Sequence, residues 1–537
     1  MRTRRSRRAA STGRPSSRRQ PGGWRTRSGW KANRSRSDRH RSRVVKRRQV
    51  LKGALSLSAL SLSYPLLRPV KGLAAEKTSV VVIGGGLSGL NCALLLSEFG
   101  LDVIVLEGSQ RVGGRAYTAD GVETRPEYGA SQIGRSYARA LDLCSRLNLE
   151  LIPQHRFIMP MSNCVDGTWV RSEDWADSPA NRLADGEREI PPSLVGMTLL
   201  GRLNPLKELD DWLSPEFFSY DVSMLELLQK SGASPEALRL AGYYLDLRTT
   251  SSLAIMQERT RTVFDANFGR SQSENTETAF GLGGTNEEDE EIPAIRNIAG
   301  GTSRLPEAMA ATLGDRVRLG KIAAAIDMSG SGAEVRCLDG SRYRADYVVS
   351  AVPFSTLRNI SVSPGFSGRQ AEAVLTLGYR GTTRAYGLVE EPYWEEDGLE
   401  PSFWTDGTVQ TMWVMEKRPG EDRHRFILTF TGMTSARIDQ LPDDQALALI
   451  ESEIARVRPA AAGKFRFMAL YGWRKHPLIQ GCRHMFAPGQ IARFAREMIV
   501  PHQRLHFAGE HTRRMEFGME SALESGERAA VEILQRA

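Results

Sequence analysis

Four consecutive apolar residues, Val80 to Ile83, run straight into Gly84-Gly85-Gly86-Leu87-Ser88-Gly89. A stretch of apolar and small residues follows to about Phe99, and a second apolar run ends on Glu107. This pattern predicts a buried strand, a tight glycine turn, a helix and a second buried strand. Further strands are predicted at Val317-Arg-Leu319, Ala333-Glu-Val-Arg-Cys337 and Tyr347-Val-Val349, and Arg504-Leu-His-Phe-Ala508 reads as a strand entering a turn. Between these lie amphipathic helices, such as the one opening on Ser234, a natural N-cap, with Pro235 at its first position. Residues 271–293 show no period; their Gly, Ser, Asn and the acidic run Glu287-Glu-Asp-Glu-Glu291 read as a solvated loop. The sharper alternative for that run is a gate that attracts cations.

The glycine turn carries the first chemistry. Gly84 turns the backbone, Gly86 lets it approach a pyrophosphate, and Gly89 packs the helix onto the sheet. The helix N-terminus offers N–H groups and partial positive charge to phosphates. Glu107, 18 residues beyond Gly89, is placed to accept hydrogen bonds from the ribose hydroxyls of a bound adenosine. A lone glycine motif is weak; one with strand, helix and terminal acid in order predicts a dinucleotide site.

Four residues past Glu107 comes Arg111-Val-Gly-Gly-Arg115, a second glycine pair suited to close approach to phosphate. At this point the chain resembles the flavin amine oxidase family of monoamine, polyamine and L-amino-acid oxidases. The resemblance continues in Gly300-Gly-Thr-Ser-Arg-Leu305, Ala345-Asp-Tyr-Val-Val-Ser-Ala-Val-Pro353, Phe507-Ala-Gly-Glu-His-Thr512 and Gly518-Met-Glu-Ser-Ala522. It spans roughly residues 78–537. It implies an α/β fold in which a Rossmann-type FAD-binding domain interleaves with an α+β substrate domain. The expected FAD-binding segments are 76–150, 296–355 and 485–537, and the expected substrate segments are 151–295 and 356–484.

Charge separates the front of the chain from the rest. Residues 1–75 hold 22 Lys or Arg and one acid, Asp38, which leaves 50 basic and 62 acidic residues in 76–537. The basic balance of the whole chain (net +9) therefore belongs to the leader. An Arg/Ser-rich stretch alone suits a nucleic-acid-binding or solvated tail. Here Lys46-Arg-Arg-Gln-Val-Leu-Lys52 precedes a mild apolar run over 54–67 and small residues near Leu73-Ala-Ala75. That order is a signal peptide, and Arg47-Arg48 with a Ser-interrupted apolar region resembles a twin-arginine signal. The expectation is export by the twin-arginine machinery to the periplasm or beyond, with no nucleic-acid role for the mature enzyme. An uncleaved anchor is disfavoured, because spanning a membrane takes about 20 apolar residues. Residues 1–43 exceed an ordinary n-region, so a start at Val44 or Val45 through an alternative start codon is expected. Five cysteines without a CxxC pair argue against a disulfide framework. His502 and His506, four apart in a strand-like run, do not make a metal site, and none is expected. A homodimer is allowed by the family.

The resemblance implies chemistry in which a neutral amine gives hydride to the flavin N5. Water then hydrolyses the imine, and oxygen takes the electrons to give hydrogen peroxide. Carried over position by position, Ser88, Glu107, Gly114, Arg115, Ser131, Gln132, Ile322, Glu510, Gly518 and Met519 join Gly84, Gly86 and Gly89 as FAD-binding residues. Three departures bear on substrate. Arg384 aligns where many members have a lysine that holds a water at the flavin, and arginine is not a tunable acid–base group; a dehydrogenase with a non-oxygen acceptor is the alternative this supports. Arg483 stands where an aromatic cage usually has a tyrosine, near Trp473; it disfavours a cation and suits bidentate grip of a carboxylate. Phe517 is the nearest aromatic to the second cage position. Cys482 falls where some monoamine oxidases attach FAD through sulfur, although non-covalent binding is expected. The candidate catalytic residues are thus Arg384 and Trp473, the candidate substrate residues Arg483 and Phe517, and the substrate an amine or, as alternative, an L-amino acid. A redox-silent FAD-bound scaffold is the reading from another class.

Overall fold

The computed structural model describes residues 75–243, 246–268 and 295–537. The leader and the acidic run at 287–291 lie outside them.

Strands β1 (Val80–Ile83) and β2 (Val103–Leu106) contain only Val, Ile and Leu, and every residue is buried. β-Branched side chains with both faces covered favour a central parallel pairing, and β1 and β2 pair in parallel from Val80 opposite Val103 to Ile83 opposite Leu106. They join β3 (Val317–Arg318), β4 (Tyr347–Ser350) and β5 (Leu505–Phe507) in a five-stranded parallel sheet of order β5-β4-β1-β2-β3. From β1 the chain moves to β2 on one side, while β4 lies on the other. The carboxyl end of β1 is therefore the switch point where a doubly wound sheet opens a crevice.

Helix α1 (Leu87–Glu98) is buried along most of its length, because α3 (Gly518–Leu534) packs against it. Two glycines set this packing. A Cβ on Gly89 would lie 2.0 Å from the Gly84 carbonyl oxygen, and one on Gly526 of α3 would lie 2.3 Å from that of Ser88. Helix, turn and C-terminal helix are thus in backbone contact.

A seven-stranded sheet forms the second framework, in the order Phe465–Gly472, Thr382–Val389, His424–Thr431, Thr411–Val414, Phe403–Thr405, Ser162–Val165 and Thr168–Val170. Its pairs are antiparallel except Phe403–Thr405 with Ser162–Val165. Helices of the 195–267 region include Pro235–Ala241, capped by the Ser234 hydroxyl, and α2 (Ser252–Asn267). One hydrophobic cluster contains Ile83 and Leu106 of the parallel sheet together with Leu253 and Ile255 of α2.

The parallel sheet draws all its strands from the expected FAD-binding segments, and the seven-stranded sheet draws all of its own from the expected substrate segments. Strand Ile295–Ile298 bridges Ile133–Gly134 and Leu151–Pro153, so the expected divides after 150 and 295 fall within one small sheet. Ser361–Ser363 pairs with Ala323–Asp327 across the expected divide at 355. Among the described residues no helix is long and apolar enough to cross a membrane, and no group of metal-ligating side chains gathers.

The α1–α3 contact yields a test. Gly526→Ala gains about 1 kcal/mol of helix propensity but forces a methyl into a backbone oxygen, an overpacking cost of roughly 1–3 kcal/mol. The clash is expected to win: Tm falls and bound cofactor is held less firmly, because the displaced atom belongs to Ser88. A variant as stable as the parent would show that the contact is not tight.

Candidate cofactor and substrate site

A cavity of about 610 Å³ opens at the carboxyl end of β1. One part of its wall is the nucleotide cradle of Gly84, Gly86, Ser88, Glu107, Gly114, Arg115 and Ile322. Another part brings Arg384, Trp473, Cys482, Arg483, Glu510, Phe517, Gly518 and Met519 to the same space. These positions come from segments as far apart as 84 and 519, and the fold gathers them around one cavity.

The cradle is built from backbone. The Gly85 N–H donates to Glu107 Oε2 at 2.7 Å, and the Ser109 N–H to Oε1 at 2.8 Å, which fixes the carboxylate at the end of β2. The Gly113 N–H donates to the Gly85 carbonyl at 2.8 Å, so the two glycine loops lie side by side. Arg111 donates to the Gly114 carbonyl at 2.8 Å and stacks 3.7 Å over the Tyr117 ring, fixing the second loop. No side chain caps the N-terminus of α1, and its first turn carries no acid. A Cβ on Gly86 would meet nothing nearer than the Gly113 oxygen at 3.9 Å, so the bare backbone faces open cavity. This cradle fits a dinucleotide: close backbone approach, an uncapped helix end for phosphate, and an acid for a ribose. Gly89 does not line the cavity; its part is the packing described above.

Around Glu510 the wall is ionic. Arg115 donates to Glu510 Oε2 at 3.0 Å and to the Cys482 carbonyl at 2.9 Å, while His484 Nδ1 lies 2.8 Å from Glu510 Oε1. Burial alone would oppose ionisation of Glu510, but the partners His484 and Arg115 outweigh it and hold the carboxyl well below its usual range. Burial pushes His484 itself below the ordinary imidazole range, against the pull of Glu510.

Trp473 is buried and its Nε1–H donates to the Tyr128 carbonyl at 2.8 Å. Its ring sits 5.0 Å from Tyr471, which stacks on Tyr128 at 4.2 Å. A Cβ on Gly129 would be 1.8 Å from the Arg115 carbonyl oxygen and 3.1 Å from the Trp473 ring, so only glycine fits between them. Arg384 sits mid-strand, opposite Thr429 and Tyr471 on its two neighbours.

Gly129 and Ala130 line the cavity, whereas Ser131 and Gln132 do not, and Gln132 is exposed. The cause is the small sheet: Ile133–Gly134 pairs with Ile295–Arg296, and the Asn297 amide holds the Ser131 carbonyl at 2.5 Å, drawing this segment away. Arg483 does line the cavity, but its guanidinium already donates to Glu258 Oε2 at 2.6 Å and lies 5.0 Å over the Phe517 ring. Glu258, on α2, is also 3.5 Å from Arg513. Neither Glu258 nor Arg513 carries a local sequence signal, since 225 residues separate Glu258 from Arg483.

A family model described as flavin containing amine oxidoreductase matches residues 87–534. The flavin-containing amine oxidase B of Homo sapiens is 27% identical over 477 residues, covering 86% of each chain. Among solved structures, a putrescine oxidase bound to putrescine shares the fold at TM-score 0.68 and 21% identity, covering 86% of this chain and 100% of its own. Cyclohexylamine oxidase from Brevibacterium oxydans IH-35A does so at 0.67 and 21%, covering 86% and 99%.

Buried imidazoles generate a pH test. Burial is the leading cause that holds His476, His484 and His511 below the ordinary imidazole range and His155 at about 4. In the unfolded chain each takes up a proton near pH ~6.5. The unfolded state therefore binds more protons, so this stability is present above about pH 6.5 and is lost as pH falls. Glu127 and Glu520, raised by burial, act in the opposite direction. Tm is expected to drop between pH 7 and 5.5; a flat profile in that window would show that these imidazoles protonate in place.

Proposed function

The chain belongs to the flavin-containing amine oxidoreductase family, and we propose that it removes hydride from the carbon bearing the nitrogen of a small amine or amino acid, giving an imine that water converts to an aldehyde or keto product. As a member it is an FAD-dependent enzyme acting on CH–NH2 groups. The observation that carries the proposal is the shared cavity: the nucleotide cradle and the walls formed by Arg384, Trp473 and Phe517 enclose one space. Bound there, FAD supplies the hydride acceptor, and oxygen as terminal acceptor gives hydrogen peroxide.

The chain's own residues bind, orient and exclude water. Glu107 offers its carboxylate edge to a ribose, and the uncapped start of α1 faces phosphate. Arg115 and Glu510 brace the loop at 482–484 against the cavity. The first turn of α3, at Gly518-Met519, lines the cavity and brings partial positive charge where negative charge develops on the cofactor. Trp473 forms a buried part of the cavity wall and helps to exclude water.

A second reading, a dehydrogenase using a non-oxygen acceptor, draws support from Arg384, because a permanently charged guanidinium replaces the usual lysine. Export by the twin-arginine route is part of the proposal and rests on the order of residues in the leader. Replacing Arg47 and Arg48 by lysine is expected to retain the enzyme in the cytoplasm, measured by fractionation.

The test of function is anaerobic bleaching of the flavin absorbance by primary amines, polyamines and L-amino acids, followed by air. Bleaching that air reverses with peroxide release supports an oxidase; bleaching that only an artificial acceptor reverses supports the dehydrogenase. A bound flavin that dithionite reduces but no amine or amino acid does would sink the amine reading. Arg384→Lys is expected to speed reoxidation by oxygen about tenfold, about 1.4 kcal/mol in the barrier, read by stopped-flow. Acid precipitation is expected to release the flavin into the supernatant; flavin that stays with the pellet would assign a covalent link to Cys482.

A further inference from the structure

Behind the Phe517 wall sits a charge cluster that the family chemistry does not require. Glu258 lies between two arginines, 2.6 Å from Arg483 Nη2 and 3.5 Å from Arg513 Nη2. Arg513 is fully buried, with its guanidinium 5.7 Å from the Phe517 ring and 5.6 Å from Trp212. Its Nε and Nη1 have no hydrogen-bond partner among the described residues. The nearby acid Glu524 does not relieve it, because its oxygens accept from the N–H groups of Arg514, Met515 and Glu516. One carboxylate thus serves two guanidiniums, and Arg513 keeps donors that it does not meet. Burying a cation with unmet donors is costly, and an added anion relieves that cost.

The rest of the cavity has the matching sign. Its lining carboxylates are Glu107 and Glu510, the first bonded to backbone N–H groups and the second to Arg115 and His484. Arg384 and Arg483 also line it. Among the described lining residues, a substrate with a second cationic group meets two arginines and no acid free of partners.

We propose that the substrate is an amine bearing a carboxylate, an α-amino acid in the simplest case, and that it is selected by anion exchange at the Arg483–Glu258–Arg513 cluster. The substrate carboxylate takes Arg483, and Glu258 moves wholly onto Arg513. Oε1 is already 3.5 Å from Arg513 Nη2, so a shift of less than about 1 Å completes a charge-assisted bond. Two arginines then face two carboxylates. The inference rests on the amine-oxidation reading for its substrate and is tested apart from it by binding.

The probes are non-reducing carboxylates without an amine (3-phenylpropanoate, 4-methylpentanoate and hexanoate), titrated into the FAD-loaded enzyme with flavin difference spectra and Tm as readouts. At least one is expected to bind saturably. Arg483→Met is expected to weaken that binding at least about tenfold. The other two variants carry the signature: Glu258→Gln, which removes the competitor for Arg483, tightens binding, and Arg513→Met, which leaves Glu258 committed to Arg483, weakens it. General damage to the wall weakens both, so weakening in both variants would overturn the exchange, as would no carboxylate binding at all. In parallel, L-phenylalanine, L-leucine and L-lysine are compared with their decarboxylated amines for anaerobic flavin reduction. Reduction by the amines alone overturns the inference and leaves amine oxidation standing. Carboxylate binding with opposite-sign variants but no reduction by either class upholds the anion site and removes the amine reading.

Discussion

A buried carboxylate organises this molecule. Glu510 lies between Arg115 and His484, and Arg115 also holds the Cys482 carbonyl, so residues 115, 482–484 and 510 meet at one charge. Removing one partner of a buried pair leaves an uncompensated charge, worth roughly 3–5 kcal/mol. That penalty forces the loop after the second glycine motif, the strand that carries Arg483, and the segment before α3 to stay together. The cavity between them is the product of that constraint, and the two walls of the site stay aligned because moving either breaks the ion pair.

Glycine plays the complementary part. At Gly89, Gly129 and Gly526 the backbone itself fills the space that a side chain would need. These contacts draw α1, α3 and the Trp473 wall to the cradle at backbone distance, closer than any side-chain packing allows. The ionic tie fixes which segments meet, and the glycines fix how near.

Charge also organises the wall that Arg483 forms. Arg483 lines the cavity, and Glu258 on α2 pairs with it at 2.6 Å. Arg513 draws on the same acid from 3.5 Å. One carboxylate thus ties the strand that carries Arg483 and the segment before α3 to α2.

What could be read from the chain was local or motif-borne. The parallel strands were legible because both faces are buried, which leaves an unbroken apolar run; the cradle was legible because phosphate contact demands glycine at fixed spacing. Glu107, Arg115, Ile322, Glu510 and Met519 followed from motifs and all line the cavity. Ser131 and Gln132 do not line the cavity, because the residues that follow them pair with a strand some 160 residues away, at Ile295–Ile298. Residue types and spacings thus determined by themselves the glycine cradle and the flavin family. Only the tertiary structure decided what Arg483 bonds to, because its partner is held on α2 by helix packing, and ion pairing across such distances leaves no periodic trace in sequence.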